Sequence, residues 1–177
     1  PFDIYSVNVH TGAKRLIGRS YRTAPKWSVN GKWAVMYDPI AQVWNKFDGA
    51  TGKVVNISDA IGYPMFMESY DKPAPAPAYG IAGWTADGNN VFLYDAYDWW
   101  KIDLTGERQP ECLTKGYGRK HGKSIRKMTS NIDKDVFQKD EKVIVSLWDK
   151  DTMDEGVYQL DMKGRLRKLM EGNYVYT

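Results

Sequence analysis

One pattern returns along this chain at a constant distance, and it confines the folds available. Trp27-Ser28-Val29-Asn30-Gly31-Lys32 matches Trp84-Thr85-Ala86-Asp87-Gly88-Asn89 at an offset of 57 residues, and the same offset carries Tyr37-Asp38 onto Tyr94-Asp95. Leu147-Trp148-Asp149, after Val143-Ile144-Val145, is a third copy of that position. Each is followed by a second apolar run that closes on an aspartate and a glycine turn. These runs are Trp44–Asp48 with Thr51-Gly52, Trp99–Asp103 with Thr105-Gly106, and Val157–Asp161 with Lys163-Gly164. The chain also opens on such a half-module, Ile4–Asn8 with Thr11-Gly12. Together these copies amount to about three and a half modules of a repeat architecture.

The physics of a module is readable. Asn-Gly and Asp-Gly pairs supply the positive φ that tight hairpin turns need. Between turns the runs are apolar on both faces, as in Ala34-Val35-Met36 and Val91-Phe92-Leu93. A strand buried on both faces has to lie between two neighbouring sheets. Stacked four-stranded sheets of ~40–50 residues are the blades of a β-propeller. The predicted fold is therefore all-β: a partial β-propeller of about three and a half four-stranded antiparallel blades, not closed within this chain. The expected division is a half blade over 1–23, blades over 24–58, 81–114 and 141–177, an insertion over 59–80 and a basic insertion over 115–140. The stretch 81–114 is the best-formed module. Seven Trp, twelve Tyr and five Phe in 177 residues agree with strand, because aromatic side chains suit a pleated, half-buried surface.

Both insertions exceed the ~12–15 residues usual for a loop in a compact domain. The first centres on Lys72-Pro73-Ala74-Pro75-Ala76-Pro77, where alternating proline favours extended polyproline conformation and cannot join a ladder. The second carries eight Lys/Arg and three Asp, a local charge of +5, so the rest of the chain stands at −2 within a total of +3. It is expected to be a solvated loop. It holds one aromatic, Tyr117, between its early basic residues, which argues against stacked nucleic-acid bases as a partner.

Several motifs imitate sites. Gly116–Ser124 ends in Gly-Lys-Ser, but a phosphate-binding loop needs glycine where Tyr117 stands. Asp149–Gly156 resembles a calcium loop, yet Met153 falls at a ligand position and the glycine comes two residues late, so a charged hairpin turn is expected. His10 and His121 lie far apart, outside any spaced ligand motif. Asn56-Ile57-Ser58 matches a glycosylation sequon, but it occupies the repeat position of Cys112-Leu113-Thr114, which explains it without sugar. The single cysteine, Cys112, permits no intrachain disulfide and is read as a small buried hydrophobe. No G-x-S-x-G elbow occurs. The sequence thus offers no catalytic, cofactor-binding or metal-ligating residue. No run approaches the ~20 apolar residues of a membrane helix. The chain begins at Pro1, without an initiator Met, and reads as processed or as a segment of a longer protein.

The run Tyr79–Thr85, the run Tyr94–Asp103, then Leu113–Lys120 and Ser146–Asp149 with Gly156–Tyr158, resemble the propeller of bacterial prolyl-oligopeptidase-family serine peptidases. The W-S/T-x-N/D-G repeat is also shared with propellers of TolB-like periplasmic proteins. The peptidase resemblance implies a non-catalytic propeller that gates peptide substrates and supports an α/β-hydrolase domain, here absent together with its Ser-Asp-His triad. It also implies an extracytoplasmic location. The alternative is a TolB-like or WD-type binding scaffold with no peptidase attached. In either case an incomplete ring is expected to expose apolar blade faces and a sheet edge, a surface for self-association.

Overall fold

In the computed structural model, which describes residues 1–128 and 135–172, the tight turns of the repeat are closed by side chains that the repeat supplies. Ser28 Oγ accepts the amide of Trp33, and Thr85 Oγ1 accepts that of Asn90. Asp38, Asp95 and Asp149 each take two amides of the following turn on one carboxylate oxygen. One hairpin later Asn8, Asp48 and Asp161 each take two amides on one side-chain oxygen, and Asp103 takes the Thr105 amide on Oδ1 and those of Glu107 and Arg108 on Oδ2. A short side-chain oxygen that mimics a backbone turn is why Asp, Asn, Ser and Thr recur at these places. Gly31 and Gly88, both at φ 68°, provide the left-handed step.

These turns connect four sheets. The half-blade is β1 (Phe2–Val7) with β2 (Lys14–Tyr21). The second sheet is β3 (Lys26–Trp27), β4 (Trp33–Asp38), β5 (Val43–Asp48) and β6 (Val54–Asn56), antiparallel and in sequence order. The third is β7 (Ile81–Thr85), β8 (Asn90–Tyr94), β9 (Trp99–Asp103) and β10 (Glu111–Cys112). A four-residue helix α1 (Tyr117–Lys120) then leads into β11 (Lys123–Lys127). After the two-residue β12 (Val136–Phe137) come β13 (Lys142–Asp149), β14 (Glu155–Asp161) and β15 (Leu166–Gly172), and β11-β13-β14-β15 form the fourth sheet.

Each pair of neighbouring sheets encloses its own core, as two-sided burial requires. Ile4, Ile17 and Tyr21 of the half-blade meet Ala34, Met36 and Phe47. From the opposite face of the second sheet, Trp33, Val35 and Tyr37 meet Trp84, Val91 and Leu93. Phe92, Tyr94 and Trp99 then meet Ile125, Val145, Leu147 and Leu160. Full burial of each such side chain contributes about 1.5–3 kcal/mol. The arrangement is a partial propeller whose ring is open.

One expectation changes. The stretch 115–140 is not a solvated loop: it holds α1, the first strand of the fourth sheet and β12. The sequence masks β11 because a single residue, Ile125, faces the core among Lys123, Ser124, Arg126 and Lys127. β12 pairs in parallel with β7, with the Trp84 amide on the Asp135 carbonyl and the Ala86 amide on the Phe137 carbonyl, so the inner edge of the third sheet is covered. Residues 129–134 of that stretch, and 173–177 of the last expected blade, lie outside the described residues.

The repeat tryptophans also part company. Trp84 is 6% exposed, whereas Trp27 is 53% exposed. Both belong to a first strand and face the preceding sheet. Trp84 meets the four-stranded second sheet, but Trp27 faces a half-blade of two strands. Tyr5 and Val7 at that end, with Trp148 and Met170 at the other, are the exposed apolar residues expected of an open arc.

Candidate functional site

Antiparallel order places the β4–β5, β8–β9 and β13–β14 turns and the sheet-to-sheet connections on one face of the arc, called here the upper face. The remaining hairpin turns lie on the lower face. The upper face is organised by two buried carboxylates of the β8–β9 turn. Asp98, 1% exposed, accepts the Thr114 hydroxyl at 2.6 Å and the amides of Gly118 and Arg119 at 2.9 and 3.0 Å. Asp95 accepts the Trp100 indole N–H at 3.0 Å and pairs with the Arg119 guanidinium at 2.9 Å. The helix amides that a phosphate would require in Gly116–Ser124 are therefore occupied by Asp98.

Two arginines of the basic stretch stack on tyrosines rather than projecting into solvent. Arg119 lies 3.9 Å from the ring centroid of Tyr63 and 5.0 Å from that of Tyr97. Burial opposes its charge, but the Asp95 hydrogen bond and charge outweigh burial and raise its pKa. Arg126 sits over Tyr94 and Tyr79, at 4.7 and 5.4 Å, and donates to the carbonyls of Asp95, Ala96 and Ile125. Its burial lowers its pKa from a starting point so high that it stays charged. Cation–π stacking and backbone bonds thus fix the loops of this face in place. The calcium-like Asp149–Gly156 is a hairpin turn, with the Asp149 carboxylate on the amides of Asp151 and Thr152. His121 stacks on Tyr117, with centroids 4.3 Å apart.

Beside this rigid zone the insertion 59–80 departs from the repeat and leaves a groove. Ile61 and Met65 anchor the insertion in the core, and Phe66 bridges to Ala78 so that it folds back on itself. Two adjoining hollows of about 210 and 240 Å³ share Thr23, Tyr37, Trp44 and Gly80; Tyr70, Pro75 and Pro77 line one and Trp84 the other. The Tyr37 hydroxyl, its pKa pushed up to about 12 by burial and then by the Asp38 charge, donates to the Ala76 carbonyl at 3.1 Å. The proline strap is held on the groove by that bond.

The repeat shows what is missing here. Trp44 and Trp99 hold equivalent places, and their amides bond to Ser58 Oγ and Thr114 Oγ1 respectively. The first of these bonds gives the sequon serine a structural role. The Trp99 indole N–H then donates to the Ile125 carbonyl of the next sheet at 3.1 Å. The Trp44 indole N–H, in a residue only 6% exposed, has no acceptor among the described residues. A buried donor left unpaired costs about 1–3 kcal/mol. No single-sequence signal could have singled out Trp44, since its motif is that of Trp99.

No protein-family model matches this sequence, and no curated protein matches it. Among solved structures, a putative TolB from Agrobacterium tumefaciens superposes with a TM-score of 0.50 at 16% identity, over 96% of this chain and 56% of that one. The likeness is one of fold: the chain is an open propeller segment similar in architecture to a TolB-type propeller, spanning about half the length of that protein. Among the described residues, no helix is long and apolar enough to cross a membrane, and no cluster of His, Cys, Asp and Glu is arranged to hold a metal.

Proposed function

We propose that this chain is a non-catalytic propeller scaffold that binds an extended, proline-containing polypeptide segment in the upper-face groove. The observation that carries this reading is the unpartnered indole N–H of Trp44, beside a tyrosine that already holds a carbonyl of a Pro-Ala-Pro strap. Aromatic grooves recognise polyproline conformation through such ring faces and carbonyl-directed donors, and the stiff ligand loses little entropy on binding. An incoming segment that displaces the strap gives one carbonyl to Tyr37 and another to Trp44 while its prolines pack on Tyr37 and Tyr70. The likeness to a TolB-type propeller supports a scaffold.

The experiment is titration calorimetry with a capped Lys-Pro-Ala-Pro-Ala-Pro peptide, on the chain and on a variant whose strap, 72–77, is replaced by Gly and Ser. The expected result is binding that strengthens when the strap is replaced, because a tethered competitor has an effective concentration on the order of millimolar. Trp44→Phe should weaken that binding, as it removes the donor and keeps the ring. No binding to either protein, or equal binding by Trp44→Phe, overturns the reading.

A narrower version makes the groove part of a gate over an α/β-hydrolase domain of the same parent protein, with peptide substrates passing it. What supports it is the resemblance of the segments between Tyr79 and Lys120 to peptidase propellers. A G-x-S-x-G elbow further along the parent reading frame is its test; a further repeat array in that place favours the plain scaffold.

A further inference from the structure

The lower face carries a second concavity, formed by different residues. Between the third and fourth sheets lies a cleft of about 520 Å³, within the range that takes a small organic ligand. Asn90 and Lys101 project from the third sheet, and Phe92 and Phe137 form an apolar floor. Four cations converge on it from four places in the chain: Lys101 from β9, Arg108 from the β9–β10 turn, Lys139 from just after β12 and Lys163 from the β14–β15 turn. The one carboxylate at the cleft is Asp87.

What marks these cations is their convergence on one concavity. Ion pairs lie elsewhere, as in Arg119–Asp95, Lys123–Glu171, Lys127–Asp135 and Arg165–Asp161. Lys101, Arg108, Lys139 and Lys163 form no ion pair among the described residues. Asp87 is committed elsewhere: it accepts the Thr85 hydroxyl and both the amide and the side-chain amide of Asn89. The Thr85 bond, followed by the Asn89 amide, lowers its pKa, so it stays an anion; the four cations of the lining still outnumber it, with Glu111 cross-strand from Lys101 at the margin. Like charges gathered in a concavity with low-dielectric walls focus a positive potential and raise the local concentration of anions.

We propose that this cleft binds a small organic polyanion, a molecule with two or more phosphate or carboxylate groups on a compact frame. Two anionic groups can engage different cations at once, while the frame rests on the phenylalanine floor beside Thr85, Asn90 and Gln138. Phosphate and carboxylate share the charge and acceptor chemistry that Arg and Lys recognise. The site lies on the lower face, so it stands independently of the peptide groove.

Titration calorimetry at low salt tests it with fructose 1,6-bisphosphate and citrate as probes and with inorganic phosphate and acetate as controls. One or both polyanions should bind more tightly than either control, and affinity should fall as sodium chloride is raised. Lys101→Gln with Arg108→Gln should weaken binding at least fivefold, whereas Lys14→Gln, remote from the cleft, should not. Lys139→Gln with Lys163→Gln, both at exposed positions, gives the same answer if the first pair disturbs folding. The proposal is overturned if neither polyanion binds at millimolar concentration, or if both double variants bind like the parent. It is also overturned if only a capped hexaglutamate peptide binds, which would make the cleft a docking surface for acidic protein segments.

Discussion

Replacing Asp98 by alanine tests whether one carboxylate holds the upper face together. The substitution removes the acceptor of the Thr114 hydroxyl and of the Gly118 and Arg119 amides, in a place where Asp98 and Thr114 are each 1% exposed. Each buried donor left unpaired costs about 1–3 kcal/mol, which gives about 3–9 kcal/mol for the three before relaxation. Relief of the desolvation of a buried carboxylate offsets part of this, so a net loss of about 3 kcal/mol is expected. That is a large share of the ~5–15 kcal/mol typical of a domain. In urea, with a slope of about 1–3 kcal/mol per molar, the midpoint should fall by about 1–3 M. Asp98→Asn keeps one acceptor oxygen but turns an amide N–H toward other donors, and should fall between the two. Amide exchange at Gly118 and Arg119 should accelerate more than exchange in β4 or β5. A midpoint within about 0.3 M of the parent for Asp98→Ala would refute the claim that these bonds organise the face.

The unequal burial of the repeat tryptophans makes a second prediction. Trp84→Ala should cost about 3–5 kcal/mol, whereas Trp27→Ala, which loses mainly an edge contact with Phe47, should cost under about 1 kcal/mol; paired urea melts compare them. Acid stability is the third. Hydrogen bonds from Lys123 and then Lys168 hold the Glu171 pKa down at about 2, tying β15 to β11. A depressed carboxylate pKa contributes stability that is complete above its unfolded value of about 4.3 and is lost as pH falls toward 2. Glu171→Gln should therefore flatten the pH dependence of the melting temperature between about pH 4.5 and 2, with little change in its slope above pH 5.

The blade pattern was legible in the chain because its determinants are local. Turn chemistry at Ser28, Thr85, Asp95 and Asp103 acts over two to five residues, and the apolar runs at Ala34–Met36 and Val91–Leu93 announce burial on both faces. The aspartates that end each strand are visible for the same reason: each side chain caps its own turn. What could not be read locally is which residues meet across sheets. β11 was hidden because one isoleucine is enough for a strand whose long cationic stems cover the rest of its surface. Arg119 and Arg126 looked solvated because their partners, Asp95, Tyr63, Tyr79 and Tyr94, lie 24 or more positions away or beyond the β9–β10 hairpin.

The same division separates the two proposed sites from the sequence. Trp44 and Trp99 have the same motif, and only the packing of the next sheet gives one an acceptor and leaves the other without. Lys101, Arg108, Lys139 and Lys163 are scattered over more than sixty residues, and no charge count along the chain brings them together. Short-range hydrogen bonding and unbroken apolar runs are properties of a segment, so the sequence declared a propeller. Donor satisfaction and charge convergence are properties of surfaces that fold together, and they appeared with the sheets in place.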